Sequence, residues 1–195
     1  QKGALRRPSA IARHLGLRDD PKGLSAEEKA QAVVRTVDQF ATSADDEIGT
    51  KHLPERMRNL PLDEQADLVM AAENAWGDLK SPTGKMNLTH DHIRKMWALT
   101  RPDFTKGGAG PKRVASYLFL DEAQDTPPVL AKVVADQKMR KVIVGDGDQA
   151  IYGFTGAIDY LDKADADVEL PLTKSYRFGP KVADAGNRFL QLLKS

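Results

Sequence analysis

Apolar residues in the first half of the chain recur at the three- and four-residue spacing of amphipathic helices. Ser25 and Glu28 form a capping box that predicts the start of one long helix. Further helices are predicted from Pro8 to Leu15, from Pro61 to Leu79 and after Thr89. The expected apolar stripes of the three longer helices are Ala30, Val33, Val34, Val37, Phe40 and Ala41; Leu62, Val69, Ala72, Trp76 and Leu79; and Ile93, Met96, Trp97 and Thr100.

These helices follow one another without a strand pattern between them. The stretch from Thr42 to Leu60 loses the periodicity and is predicted to be a polar loop. The sequence KGGAGP at 106–111 is rich in glycine and is predicted to be a joint. The pattern therefore predicts an all-helical subdomain over residues 1–110, inserted before an α/β part over residues 111–195.

Two short apolar runs in the second half stop abruptly at acidic or glycine residues, as buried parallel strands do. They extend from Val114 to Leu120 and from Lys141 to Val144. Between them, Pro127 begins a predicted helix. Its expected inner face consists of Val129, Leu130, Val133 and Val134. A strand-helix-strand unit of this kind predicts a right-handed parallel crossover and an α/β fold class.

The last part of the chain predicts two more elements. A short strand is expected from Val168 to Leu172, and a final helix from Pro180 to Leu193. The residues that this helix is expected to bury are Val182, Ala183, Phe189, Leu190 and Leu193.

Polar side chains follow each of the two predicted central strands. Asp121 and Glu122 come directly after the first, and Asp146, Asp148 and Gln149 follow the second. Ligands of open α/β sheets bind beyond the carboxyl ends of the strands. Neighbouring strands would therefore place these groups in one crevice.

The residue types suit phosphate chemistry. Asp121 can hold magnesium, and Glu122 can orient and deprotonate a water. The carboxamide of Gln149 can bond to a phosphate or a water. Tyr176 can stack on a purine, and Arg177 can neutralise a transferring phosphoryl group. The alternative is that the acidic residues end the strands only as solvated side chains.

Four aromatic residues allow two interpretations each. Tyr152 and Phe154 either pack under the sheet or offer a face to an unpaired base. Trp76 and Trp97 are interpreted as packing residues rather than stacking platforms.

Composition and charge exclude little. The chain has 195 residues, a net charge of +1 and 41% hydrophobic residues, which is typical of a globular protein. The absence of cysteine excludes a disulfide framework and thiolate chemistry. His90 and His92 are spaced poorly for a helical metal pair and are interpreted as surface or capping residues. No apolar run suggests a membrane span or a signal peptide, so an intracellular location is expected.

Neither glycine-lysine candidate completes a phosphate-binding P-loop, G-x-x-x-x-G-K-[ST]. Gly84 and Lys85 are followed by Met86, and GGAGPK at 107–112 lacks the final serine or threonine. The sequence on its own is therefore expected to hydrolyse little or no ATP.

Three segments carry a resemblance to a known family. LFLDEAQD at 118–125, GDGDQAIYGFTGA at 145–157 and LTKSYRFG at 172–179 resemble, in order, the second, third and fourth motifs of superfamily 1 DNA helicases of the UvrD/Rep type. The helical half resembles more specifically the branch related to the F-box DNA helicase. The segments that carry this second resemblance are LRRPSAIARHLGL, DQFATSADDEIG and THDHIRKMWALT.

The resemblance implies a role for each matching residue. Asp121 and Glu122 would form the magnesium site, with Asp121 coordinating the ion, and Glu122 would also activate water. Gln149 would sense the γ-phosphate, Tyr176 would stack on adenine and Arg177 would contact the γ-phosphate.

The resemblance also implies DNA contacts. Phe154 falls where the family usually places an aromatic residue that stacks on single-stranded DNA, with Tyr152 supporting it. Thr155 replaces an arginine common in the family, which puts a charge-mediated link at that position in question.

The resemblance implies a partial RecA-like parallel sheet with flanking helices. The chain would be a central fragment of an ATP-dependent DNA helicase or translocase that uses ATP and Mg²⁺ on single-stranded or forked DNA. The parent would act in DNA repair, in the nucleus or on the nucleoid of the cytoplasm. Two alternatives remain: a non-catalytic module that binds DNA or protein, and a parent with an added nuclease domain.

Overall fold

The computed structural model describes residues 5–21, 23–106, 115–149, 160, 164–174 and 176–194. The α-helices are α1 (Pro8–His14), α2 (Ala26–Thr42), α3 (Leu62–Lys80), α4 (His90–Leu99), α5 (Pro128–Ala135) and α6 (Pro180–Lys194). The strands are β1 (Tyr117–Leu120) and β2 (Arg140–Ile143), and short 3₁₀ turns span Thr50–His52, Glu55–Asn59, Ala123–Asp125 and Gly147–Gln149. Most of the predicted joint at 106–111 lies outside the described residues.

The predicted helices of the first half are confirmed, with their ends where capping chemistry puts them. The Ser25 hydroxyl accepts the Glu28 backbone N–H at 3.2 Å, and the Glu28 carboxylate accepts the Ser25 backbone N–H at 2.9 Å. Gly16, with φ +69°, follows α1 in the left-handed conformation that glycine tolerates. One hydrophobic core joins α1, α2 and α3. Its members include Ile11, Val33, Val37, Phe40, Leu68, Ala72, Trp76 and Leu79.

The prediction of a polar loop from Thr42 to Leu60 was wrong in part, because the stretch contains two 3₁₀ turns and contributes to the core. Leu53 and Met57 are buried in that core. His52 is also buried, and its Nδ1 accepts the Gly49 backbone N–H at 3.0 Å while its Nε2 lies 2.8 Å from Asp45. The polar residues in this stretch therefore bond to one another around apolar side chains that are spaced without a helical period.

Helix α4 begins after Thr89 as predicted, but its expected stripe was wrong in part, although Met96 does pack against the core. Ile93 and Trp97 are exposed, whereas His92 and Lys95 are buried. His92 accepts the Thr89 backbone N–H at its Nδ1 and pairs with Asp38 through its Nε2 at 2.9 Å, so it is the capping histidine expected. Trp76 is buried as predicted, while the exposed Trp97 stacks on Phe104 with ring centres 6.2 Å apart.

Lys95 is only 1% exposed and connects α4 to the end of α2. Its Nζ donates to the carbonyl oxygens of Ser43 and Asp45 and lies 4.1 Å from the centre of the Phe40 ring. Burial lowers the pKa of Lys95 from 10.5 to about 8, and nearby Asp45 and Asp46 offset part of that effect. The buried face of α4 thus includes a lysine that the predicted apolar stripe left out.

Strands β1 and β2 pair in parallel, which confirms the predicted strand-helix-strand unit. The register pairs Tyr117 with Arg140 at one end and Leu120 with Ile143 at the other. Leu118, Leu120 and Ile143 pack against buried residues of a small second core that includes Ala131 and Val134 of α5. One face of the sheet is therefore covered by α5.

The other face of the sheet is open, so the prediction of strands buried on both faces was wrong for the residues described. Phe119 is 73% exposed, and Tyr117, Val142 and Val144 are exposed as well. The sheet has two strands within the described part of the chain. A continuous apolar strand pattern is typical of a sheet covered on both faces. Within the described residues, α5 and the small second core cover one face.

The elements near the carboxyl terminus depart further from prediction. Residues 168–172 do not form a strand, and Val168, Leu170 and Leu172 are exposed. Helix α6 is present, but Val182 and Phe189 are exposed rather than buried. A screen of the described helices for a long, apolar, membrane-crossing segment found none.

Gln137 ties the segment after α4 to the end of α5. Its side-chain nitrogen donates to the carbonyls of Pro102 and Val133, both at 2.9 Å. Its side-chain oxygen accepts the Phe104 backbone N–H at 3.0 Å. This buried amide therefore joins the helical half to the half that contains the sheet.

Candidate functional site

The carboxyl ends of β1 and β2 are held together by backbone hydrogen bonds. The Val144 N–H donates to the Leu120 carbonyl at 2.8 Å, and the Ala123 N–H donates to the Val144 carbonyl at 3.0 Å. Asp121 and Glu122 lie in the loop between Leu120 and Ala123, and both are exposed. The strand ends therefore present these two carboxylates next to the loop that follows β2.

Glu122 adopts the left-handed backbone conformation, with φ +53° and ψ +45°. A residue with a side chain pays about 1–2 kcal/mol for this conformation. Its backbone N–H donates to the Asp121 carboxylate at 3.0 Å. Such strain at an exposed carboxylate is common at functional sites, where surrounding contacts hold it in place.

The surroundings that hold Glu122 include Gln124, which the sequence analysis did not select. Gln124 is 2% exposed. Its Nε2 donates to the Glu122 carboxylate at 2.7 Å, and its Oε1 accepts the Asp146 backbone N–H at 3.1 Å. The only sequence sign of this role is a glutamine within the acidic segment DEAQD, two positions after Glu122.

Asp146 continues the connection toward Gln149. One Asp146 carboxylate oxygen accepts the Asp148 backbone N–H at 3.1 Å, and the other accepts Nε2 of Gln149 at 2.6 Å. The 3₁₀ turn Gly147–Gln149 brings these groups into range. Hydrogen bonds therefore run from Glu122 through Gln124 and Asp146 to Gln149, and we call these four residues the strand-end chain.

The remaining predicted site residues come later in the sequence than these four. Tyr176 and Arg177 lie on an exposed bend just before α6. The Tyr176 ring is 87% exposed, with Nζ of Lys174 at 5.0 Å from its centre. Tyr152 and Phe154 lie outside the described residues, so their predicted stacking role remains a prediction.

The donor set at the strand ends fits magnesium under one condition. Among the residues described, no three histidine, cysteine, aspartate or glutamate side chains cluster closely enough to hold a metal alone. Magnesium is usually held by one or two carboxylates, with waters and substrate phosphates completing its shell. The adjacent, exposed carboxylates of Asp121 and Glu122 fit that arrangement, in which a phosphate substrate supplies the remaining ligands.

A cavity of about 430 Å³ lies elsewhere, between α4, α5 and the segment around residues 101–106. Several of its charged lining residues neutralise one another: Arg101 pairs with Asp46 at 3.1 Å and Lys132 with Asp136 at 3.3 Å. This cavity contains none of the strand-end chain. Its paired charges favour a structural junction over a site for one class of charged ligand.

Comparison with known proteins assigns the chain to a family. The family model described as "UvrD/REP helicase N-terminal domain" matches residues 22–169. The chain therefore belongs to the UvrD/REP helicase family, and the resemblance seen in the sequence is confirmed.

Two curated relatives are similar to this chain over most of its length. The chain is 30% identical over 177 residues to F-box DNA helicase 1 of Gallus gallus, covering 85% of this chain and 17% of that protein. It is 30% identical over 186 residues to F-box DNA helicase protein 1 of Schizosaccharomyces pombe, covering 90% of this chain and 20% of that protein. The chain thus spans about a fifth or less of the length of these relatives. No solved structure gave a significant match.

Proposed function

We propose that this chain is part of an ATP-dependent DNA helicase or translocase, and that the ends of β1 and β2 take part in ATP hydrolysis. In this proposal residues 111–195 form part of a RecA-like ATPase domain, and residues 1–110 form its helical insertion. The strand-end chain is the observation that carries it, because its hydrogen bonds join the carboxylates after β1 to the loop after β2. Membership of the UvrD/REP family supports the same proposal.

Each side chain has a defined task in the proposed reaction. Glu122 accepts a proton as water attacks the γ-phosphate, and ADP leaves with the bond between the β- and γ-phosphates broken. Asp121 holds Mg²⁺, which when bound offsets the phosphate charge. Gln149 bonds to the γ-phosphate or the attacking water. On the other side of the nucleotide, Tyr176 stacks on adenine and Arg177 contacts the γ-phosphate.

The DNA-binding part of the proposal concerns Tyr152 and Phe154. The segment that contains them follows Gln149 directly. In this proposal, Gln149 moves when the γ-phosphate is lost, and the short stretch of backbone passes that movement to an aromatic residue stacked on a base. Stacking of this kind is worth about 1–3 kcal/mol per base. Single-stranded or forked DNA is the proposed substrate.

The test is DNA-stimulated ATP hydrolysis by the full-length parent protein, with and without Glu122→Gln. Loss of a general base is expected to lower kcat by about 100-fold or more. Glu73→Gln, on an exposed position of α3, is the matched control and is expected to leave kcat unchanged. Equal rates for the wild type and Glu122→Gln would contradict the proposal.

One observation favours a second candidate, a non-catalytic module that binds DNA or protein. The printed sequence contains no complete P-loop, and a P-loop is what grips the phosphates of ATP in this class of enzyme. The chain by itself is accordingly expected to hydrolyse little ATP. A parent protein that binds single-stranded DNA but shows no ATP turnover would favour this second function.

A further inference from the structure

We propose that Gln124 is a positioning residue that links the orientation of the Glu122 carboxylate to the loop after β2. This inference rests on the proposed function, because it assigns a partner to the general base of that reaction. The Gln124 side chain is buried beside the exposed Glu122. Its role is to hold Glu122 rather than to touch the substrate.

The nitrogen and the oxygen of the Gln124 amide each bond to a group that can act in only one way, as an acceptor or as a donor. The Glu122 carboxylate only accepts hydrogen bonds, and the Asp146 backbone N–H only donates. The contacts of 2.7 Å and 3.1 Å are therefore satisfied in one orientation of the amide. A rotated amide would place a donor against a donor and an acceptor against an acceptor.

The backbone under Gln124 is held as firmly as its side chain. Ala123, its neighbour, is fully buried. The Ala123 N–H donates to the Val144 carbonyl at 3.0 Å, and the Ala123 carbonyl accepts the Tyr160 N–H at 3.3 Å. Gln124 therefore starts from a fixed point in the small second core and reaches out to the exposed Glu122.

Glu122, in contrast, depends on its partner for its direction. Its left-handed backbone is strained and its side chain is exposed, so local packing does not select one rotamer. The bond to Gln124 supplies that selection, and Gln124 is bonded to the same Asp146 that holds Gln149. Movement of the loop after β2 is thereby passed to the base through two hydrogen bonds.

The experiment compares Gln124→Met with Gln137→Met in the full-length parent protein. Methionine keeps the approximate volume of glutamine and removes its hydrogen bonds. Gln137 is the matched control, since it is also a buried glutamine with three hydrogen bonds but lies at the far end of α5. The readouts are kcat and KM for ATP at saturating single-stranded DNA, with thermal melting to establish folding.

Gln124→Met is expected to lower kcat by about 10- to 100-fold with KM for ATP little changed, because a misplaced catalytic group loses rate rather than substrate affinity. Gln137→Met is expected to melt earlier yet keep kcat near that of the wild type. Wild-type kcat in Gln124→Met, or an equal loss in both variants, overturns the inference.

A second variant, Gln124→Glu, keeps the acceptor for the Asp146 N–H but replaces the donor to Glu122 with an acceptor. It is expected to lower kcat as Gln124→Met does, with KM for ATP little changed. Where Gln124→Met fails to fold, wild-type kcat in Gln124→Glu overturns the inference.

The outcome of Glu122→Gln separates this inference from the proposed function. Inactive Glu122→Gln together with fully active Gln124→Met overturns the positioning role alone. If Glu122→Gln leaves the ATP turnover of the parent protein unchanged, both the positioning role and the proposed function are overturned.

Discussion

The helical half and the half with the sheet bury their apolar residues to very different extents. Residues 5–106 enclose one hydrophobic core in which Val33, Phe40 and Leu79 are almost fully buried. In the second half, Phe119 on β1 and Phe189 on α6 are largely exposed, and the second core is small. The described side chains of α6 are exposed or only partly buried. Its 15 residues are a length at which a helix with little burial is marginal in water.

This difference in burial separates the half that is packed for stability from the half that contains the candidate chemistry. The helical half satisfies its own polar groups, with His52 and His92 each fixed between a backbone N–H and an aspartate. The candidate chemistry lies in the less buried half, where Glu122 is strained and exposed. Mutations are therefore expected to cost stability in the first half and activity in the second.

The largest expected effect compares Phe40→Ala with Phe189→Ala in the 195-residue chain. Phe40 contacts the rings of His52 and Trp76 edge to face, with centres 5.5 Å and 5.4 Å away. Its removal is expected to lower the free energy of unfolding by about 3–5 kcal/mol. Phe189→Ala is expected to change it by less than about 0.5 kcal/mol. Urea denaturation measures both, and comparable losses would refute the contrast.

Lys95 makes the stability of the helical half depend on pH. Its pKa is about 8 when folded and 10.5 when unfolded, so between these values the unfolded chain holds a proton that the folded chain has released. The free energy of unfolding is therefore expected to rise with pH across this window, by roughly 1 kcal/mol per pH unit. The measurement is urea denaturation at several pH values. Lys95→Met should lack this component, and identical slopes for the two proteins would contradict it.

Two glycines of the helical half should respond to alanine with opposite signs. A Cβ at Gly84 would lie 1.9 Å from the Asp78 carbonyl oxygen, so Gly84→Ala is expected to cost about 1–3 kcal/mol. Gly77 lies in α3 with open space around its Cβ position, so Gly77→Ala is expected to gain about 1 kcal/mol. Thermal melting of both variants tests the pair. A stabilised Gly84→Ala would show that the Gly84 turn is not tightly packed, and a destabilised Gly77→Ala would show that the space beside Gly77 is not open.

The smallest expected effect concerns the strain at Glu122. Glu122→Ala and Glu122→Gly both remove the bond to Gln124, but only glycine relieves the left-handed backbone. The glycine variant is expected to be more stable than the alanine variant by about 1 kcal/mol, while both are inactive in the parent protein. Calorimetry on the two variants measures the difference; equal stabilities would show that Glu122 is not strained in solution.

Sequence periodicity predicted the elements whose partners are local. The capping box at Ser25, the stripe of α2 and the strand-helix-strand unit all depend on neighbours within a few turns or on a short crossover. Periodicity failed at α4, because Lys95 is buried by hydrogen bonds to carbonyls that come from more than 45 residues earlier, at Ser43 and Asp45. It failed at 168–172 because a strand pattern does not specify which strand it pairs with.

The candidate site could likewise be predicted only in part from the sequence. The motif residues Asp121, Glu122 and Gln149 could be selected because strand ends and residue chemistry are visible in sequence. Gln124 could not, since its role depends on the backbone N–H of Asp146, which only the folded chain brings within 3.1 Å. Left-handed geometry at Glu122 was equally invisible, because glutamate has no preference for it.

Native-state hydrogen exchange of the 195-residue chain tests the division between the two halves most directly. Amides in the middle of α2 and α3 are expected to exchange only through global unfolding, whereas those of α6 should exchange at least about 1,000-fold faster through local opening. The ends of β1 and β2 should fall between these limits. Equal protection in α3 and α6 would contradict the account.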